Sequence, residues 1–244
     1  MDSADKRIAL VTGANKGIGF EIARQLGQAG ATVLMAARDN TRGQMAASLL
    51  QQEGLTVQYI PLDVTDAANI ENAAQWIGAR HKKLDILVNN AGISDAADGQ
   101  PTSGSIEAAR RLLETNFFGA LTGTQAMLAL LRNSNSASIV NMSSSLGSLA
   151  GNGDHNSKYY GARLIGYNAS KAALNMLTVQ LAEELRGTQI IVNSACPGFV
   201  KTDLNGNIGH LSAARAAVLP VRLALLGHDR FTGRFMSTEG EVAW

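Results

Sequence analysis

Tyr167 and Lys171 stand four residues apart in a stretch whose apolar residues, Ala173, Leu174, Leu177, Leu181 and Leu185, recur at helical spacing. Their side chains then lie one turn apart on a common face. A protonated ammonium so placed stabilises phenolate and lowers the phenol pKa from its reference of about 10, which makes Tyr167 a candidate general acid or base. Tyr159 and Tyr160 lack a Lys four residues on, Arg163 being only three beyond Tyr160, and read as candidate walls of a substrate pocket. Upstream, Ser143-Ser144-Ser145 offers hydroxyls to an oxygen that gains charge. His81, His155, His210 and His228 are scattered without metal-ligand spacing and read as surface or loop residues. The single Cys196 excludes an internal disulfide and a Cys-based metal site, so no metal is expected, and Cys196 itself reads as a small buried residue.

An alternation of apolar runs and helical patterns supplies the scaffold for these groups. Ile8 to Val11 reads as a strand that stops at Thr12-Gly13, and Ile18, Ile22, Leu26 and Ala29 mark a helix that ends at Gly30. Further strands are expected at 32–37, 57–61, 86–88, 138–142, 190–195 and 234–236, with helices at about 41–53, 66–79, 105–131 and 167–185. Six or seven such units predict one α/β domain over residues 1–244, a Rossmann-type doubly wound parallel sheet of about seven strands with helices on both faces. The polar, glycine-rich stretch 147–161 follows a strand, where open α/β sheets bind ligands, and it is expected to border the substrate together with 203–230.

Composition agrees with that plan. The 244 residues suit one domain with a substantial core, and 45% apolar with 17% charged residues excludes a charged disordered chain. Lys and Arg number 21 against 20 Asp and Glu, a net +1 that gives no field to recruit nucleic acid or an anionic membrane. Met1 to Arg7 runs straight into the first strand without a signal-peptide core, and no run of about 18 apolar residues follows, so a cytoplasmic location is expected. The 25 glycines against 4 prolines point to tight turns and close backbone approach.

Three of those glycines fall in Thr12-Gly13-Ala14-Asn15-Lys16-Gly17-Ile18-Gly19, between the first strand and the first helix. Gly13 permits the turn, Gly17 lets backbone approach a pyrophosphate, Gly19 packs the helix on the sheet, and the helix N-terminus offers free N–H groups to anionic oxygens. An ordinary glycine-rich turn has the same look. With Asn89-Asn90-Ala91-Gly92, Asn116, the serine run, Tyr167-x-x-x-Lys171 and Pro197-Gly198, however, the chain resembles the short-chain dehydrogenase/reductase family from residue 6 to about 203.

That resemblance implies pro-S hydride transfer between a nicotinamide and a carbonyl. It assigns the carbonyl oxygen to Ser144, or by register to Ser143 or Ser145, and the proton to Tyr167, whose phenolate Lys171 and the oxidised nicotinamide ring would stabilise. Asn116 would interrupt its helix and hold a water that relays protons to Lys171. Cofactor contacts implied are Gly13, Asn15, Lys16, Gly17, Ile18 and Gly19 in the turn, Asp63 and Val64 at the adenine, and Asn89, Ala91 and Gly92 near the adenosine ribose. Pro197, Gly198, Val200 and Thr202 would meet the nicotinamide and diphosphate, and Tyr167 and Lys171 also count among the contacts. Asp63 reads equally well as a helix N-cap, and the Asn-Asn-Ala-Gly tetrapeptide as plain turn chemistry.

Charge selects the cofactor. An acid that binds a ribose 2′-OH usually ends the second strand, but Ala37 stands there and Arg38 follows. Arg38 and Lys16 can instead pair with a 2′-phosphate, each charge-assisted bond being worth roughly 1.5–3 kcal/mol, with Asp39 in partial opposition. NADP(H) is expected.

The separation of Ser144 from Tyr167 is longer than is usual in the oligomeric branch of the family, with the excess in 147–161. Such an insertion is similar to those of the monomeric carbonyl reductases, where it covers helices that otherwise form an interface. Residues 232–244 also look like that branch and lack the Asn-Gly-Gly ending of 3-oxoacyl carrier protein reductases. The resemblance thus implies an NADPH-dependent carbonyl reductase of a small ketone or aldehyde, monomeric rather than a homodimer or homotetramer. A 3-oxoacyl or hydroxysteroid-type dehydrogenase, or a catalytically silent NADPH-binding regulator, remains open at this point.

Overall fold

The computed structural model describes residues 6–226 and 230–244, so His228 lies outside the described residues. Strands form where apolar runs are covered on both faces. Every position is buried in β1 (Ile8–Thr12), β2 (Thr32–Ala37), β4 (Ile86–Asn89), β5 (Ala137–Met142) and β6 (Ile190–Cys196). The edge strand β3 (Val57–Pro61) mixes buried and exposed positions, and β7 (Arg234–Ser237) with the two-residue β8 (Gly240–Glu241) completes the sheet. The order is β3-β2-β1-β4-β5-β6-β7-β8, parallel through β7, with β8 antiparallel to it. The chain runs outward from β1 to β3 and then returns to β4, so the crevice opens at the carboxyl ends of β1 and β4.

The described helices are α1 (Gly17–Gln28), α2 (Asn40–Gln52), α3 (Ala67–His81), α4 (Ile106–Leu113), α5 (Gly119–Arg132), α6 (Leu149–Gly153), α7 (Ile165–Glu184) and α8 (Ala213–Ala224). Alternate strand residues feed two cores. Ala9, Val11, Val33 and Met35 pack against α1, α2 and α8. Leu10, Leu34, Leu87 and Ile139 pack against α3, α5 and α7. Side-chain caps fix several helix starts, with Asp39, Asp66, Ser105 and Ser212 accepting from the backbone N–H three residues on.

The doubly wound sheet appears as expected, with an antiparallel eighth strand added. Two expectations need correction. The single helix expected at 105–131 is α4 and α5 joined by a π turn, Glu114–Phe118, and the stretch 147–161 is not wholly loop, because a 3-10 turn, Ser145–Gly147, and then α6 open it. Helix α8, unanticipated, lies along α1, where Gln25 Nε2 donates to the Ala214 carbonyl at 2.8 Å. Among the described residues no helix is long and apolar enough to cross a membrane, and no group of His, Cys, Asp and Glu could hold a metal ion.

Candidate active site

The glycine turn closes β1 and opens α1. Gly13 (φ +62°) and Gly17 (φ +57°) take the left-handed backbone that favours glycine. Lys16 at the N-cap is extended and offers no side-chain cap, so the first N–H groups of α1 keep no acceptor from it and can meet phosphate oxygens. Two residues missed by sequence reasoning brace this turn. Asn90 Nδ2 donates to the Thr12 carbonyl at 2.8 Å and the Gly13 carbonyl at 3.2 Å, while Thr12 Oγ1 accepts from the N–H groups of Asn90 and Ala91 at 3.0 Å. Asn89, expected at the ribose, is 5% exposed, and its amide donates to Thr124 and Asn141 within the protein. Its side chain therefore faces the core.

At the end of β2, Ala37 is buried and Arg38 is exposed without an ion pair among the described residues. Asp39 does not oppose it as a free anion, because its carboxylate caps α2 at Arg42 and forms an ion pair with that side chain. Lys16 is instead joined to Asp203 at 2.6 Å, which holds the Asp203 carboxyl below its ordinary range. Asp63 is not the cap of α3, since Asp66 fills that role. Its Oδ1 accepts from the Thr65 N–H at 3.0 Å, and that bond, chiefly, keeps the carboxyl ionised, with Arg38 adding a smaller pull. On the opposite wall, the Thr202 methyl would stand 3.7 Å from a Cβ on Gly17, so the segment after β6 reaches the glycine turn.

The candidate catalytic groups gather at the carboxyl end of β5. Lys171 is buried; its Nζ donates to the Met142 carbonyl at 2.8 Å and lies 5.7 Å from the centre of the Tyr167 ring. Tyr167 is half-buried, and the Ser144 hydroxyl stands close enough to its phenol to favour the phenolate. The Ser144 hydroxyl also accepts from Leu146 N–H at 3.2 Å, which starts the 3-10 turn, and the rival Ser143 is buried with its hydroxyl donating to Asn175 at 2.6 Å. Ser145 lies against Cys196 Sγ, its hydroxyl at 3.1 Å. Of the three serines, Ser144 alone adjoins the phenol. Cys196 is 4% exposed and packed, as expected.

One electrostatic expectation reverses. Burial pushes the Tyr167 phenol up to about 12, aided by Cys196 and opposed by the Ser144 hydroxyl, and burial pulls Lys171 down to about 8. Desolvation of the phenolate is the largest influence on the phenol.

Asn116 occupies the π turn and is 1% exposed. Its Oδ1 accepts from Ile93 N–H at 2.8 Å, and its Nδ2 donates to the Ile93 carbonyl and to Ser170 Oγ at 3.1 and 3.0 Å. A Cβ on Gly92 would stand 3.3 Å from Asn116 Oδ1 and 3.5 Å from Lys171 Nζ, so both groups converge on that glycine. The helix interruption is present, and the amide braces the loop after β4 against α7.

The inserted segment packs against the end of the chain. Ser148 Oγ donates to the Ala243 carbonyl at 2.7 Å, Ala150 N–H to the Trp244 carbonyl at 3.0 Å, and Lys158 pairs with Glu239 at 2.7 Å. Phe118 in the π turn and Met176 on α7 are exposed. Tyr160 lies beside His155 and under the Arg163 guanidinium, and Tyr159 under the Lys158 ammonium. Of the histidines, His81 departs from a surface or loop position: it is half-buried at the end of α3, where burial lowers its pKa.

A doubly wound sheet with a glycine turn opening α1 and a Tyr167–Lys171 pair at the end of β5 defines an oxidoreductase of the dinucleotide-binding class. Residues 7–212 match the model of the short chain dehydrogenase family, and the chain belongs to that family. It is 36% identical to short-chain dehydrogenase/reductase 1 of Saponaria officinalis over 98% of this chain and 96% of the relative. Identity to carbonyl reductase (NADPH) 1 of Sus scrofa is 33%, over 99% and 96%. The NADPH-bound carbonyl reductase from chicken fatty liver superposes with a TM-score of 0.85 at 31% identity, covering 98% of this chain and 99% of that one.

Proposed function

We propose that this chain is a cytoplasmic, single-domain NADPH-dependent carbonyl reductase that interconverts a small ketone or aldehyde and its alcohol. The observation that supports this most is the Ser144–Tyr167–Lys171 cluster at the end of β5, together with a glycine turn after β1 whose neighbouring strand β2 ends in Ala37-Arg38 rather than in an acid. Carbonyl reductases among the relatives and structural neighbours point the same way.

The residues present fit NADP(H). The turn from Gly13 through Asn15 and Lys16 to Gly17, Ile18 and Gly19 would hold the pyrophosphate, with Arg38 at the 2′-phosphate and Lys16 leaving Asp203 to join it. Asp63 and Val64 would border the adenine, Ala91 and Gly92 the adenosine ribose, and Pro197, Gly198, Val200 and Thr202 the nicotinamide end. When bound, the cofactor supplies the hydride. Ser144 and Tyr167 orient and polarise the carbonyl oxygen, and Tyr167 gives it a proton as charge develops. Lys171 stabilises the phenolate left behind, and Asn116, beside Lys171 at Gly92, belongs to the route that restores the proton.

A spectrophotometric screen of NADPH oxidation against aldehydes, ketones and 3-oxoesters tests this reading. Turnover of ketones or aldehydes is expected. Exclusive turnover of 3-oxoesters would favour a 3-oxoacyl reductase, and a chain that binds NADPH but is inert across the panel would be a silent regulator.

A further inference from the structure

Asp98 lies in the loop after β4, 69 residues before Tyr167, yet its carboxylate closes the start of α7. Oδ1 accepts from Gly166 N–H and Oδ2 from Tyr167 N–H, both at 2.8 Å. The next residue of the loop, Gly99, gives its carbonyl to Ile165 N–H at 2.8 Å. The first three N–H groups of the helix are thus satisfied by one distant loop. Leu164 at the N-cap position offers no side-chain cap.

The approach is close by construction. A Cβ on Gly166 would stand 2.8 Å from Ala109 Cα and 3.1 Å from Asp98 Oδ1, so only glycine admits the carboxylate and α4 together. The loop is itself tied down, by the Asp95–Arg111 ion pair at 2.7 Å and by the grip of Asn116 on Ile93. Asn116 also reaches Ser170, whose hydroxyl donates to the Tyr167 carbonyl at 2.8 Å. Tyr167 is therefore held at its N–H by Asp98 and at its carbonyl through Ser170. An anion at a helix N-terminus also matches the positive end of the helix dipole.

We infer that Asp98 is a positioning residue for the reaction: by capping α7 from the loop after β4 it sets where the Tyr167 phenol stands relative to Ser144. This rests on the reading of Tyr167 as proton donor. A phenol displaced by about 1 Å loses proton transfer by up to roughly a hundredfold while the glycine turn, on another element, still binds the cofactor.

The test uses the full chain as parent, D98A, D98N and Y167F. NADPH oxidation is followed with 1-phenylpropane-1,2-dione as the ketone, NADPH affinity by fluorescence, and amide hydrogen exchange across α7. D98A is expected to lower kcat roughly 10- to 100-fold with NADPH affinity near that of the parent. Exchange at Gly166 and Tyr167 should quicken while β1 stays protected. D98N, which keeps an acceptor for one N–H, should recover part of the loss in kcat. Parent-like kcat in D98A and D98N, a loss of kcat matched by an equal loss of NADPH affinity, or unchanged exchange at Gly166 and Tyr167 in D98A would each overturn the inference. Y167F as active as the parent would instead overturn the reading beneath it. Y167F inactive beside fully active Asp98 variants would overturn this inference alone.

Discussion

Lys171 donates to the Met142 carbonyl at 2.8 Å, which ties the ammonium to the end of the strand that leads directly into Ser144. Its charge is thereby delivered to the phenol from a fixed point, and pH should report on it. Burial pulls Lys171 down to about 8 and pushes Tyr167 up to about 12, so over the working range the lysine titrates and the phenol stays protonated. The ammonium present below about 8 lowers the cost of the phenolate formed on proton transfer. Reductive kcat/KM should therefore hold at lower pH and fall as pH rises through about 8, and in K171M it should be low and lack that limb. An alkaline limb unchanged in K171M would assign it to another group.

The backbone of α7 presses on the turn after β5. A Cβ on Gly147 would stand 2.7 Å from the Lys171 carbonyl carbon and 2.8 Å from Lys171 Cβ, neither of which can yield without moving the helix. Gly147→Ala should destabilise the chain by about 1–3 kcal/mol, a drop in Tm of roughly 2–4 °C per kcal/mol for a chain of this size. It should also lower kcat, because the displaced helix carries Tyr167. A melting curve and kcat equal to the parent's would show that the turn has slack.

Cofactor choice turns on the end of β2. Arg38→Ala should raise the NADPH KM by about 10- to 100-fold, the scale of a charge-assisted pair, and leave NADH unaffected. Ala37→Asp, which restores an acid beside the ribose, should shift preference toward NADH. Asp203→Asn frees Lys16 from its ion pair and should lower the NADPH KM only. Equal kcat/KM for NADH and NADPH in the parent would contradict this charge argument.

Much of this was legible before the structure, and the omissions have physical causes. Buried parallel strands are continuous apolar runs, so β2 falls where the sequence puts it, and the four-residue spacing of Tyr167 and Lys171 on α7 follows from helical period alone. Helix α8 is hidden by its alanines and by Pro220 within it, and Ser212 at its N-cap is the one local signal. Asp63 and Asp66 are equivalent as sequence, and only the backbone decides that Asp66 caps α3 while Asp63 bonds Thr65. Asn90 and Asp98 act on groups 77 and 68 residues away in the chain, so no local pattern marks them. The raised phenol of Tyr167 escapes for a related reason: spacing reveals the nearby ammonium, whereas burial is a property of the assembled site.

The central claim is that Tyr167 gives the proton to a carbonyl oxygen. Its most direct test is Tyr167→Phe, which removes one hydroxyl and keeps the ring. With NADPH saturating and a ketone that the parent reduces, the variant should bind NADPH as the parent does and lose kcat by about 10²- to 10⁴-fold, the usual contribution of a positioned general acid. A Phe variant with the parent's kcat would contradict the account.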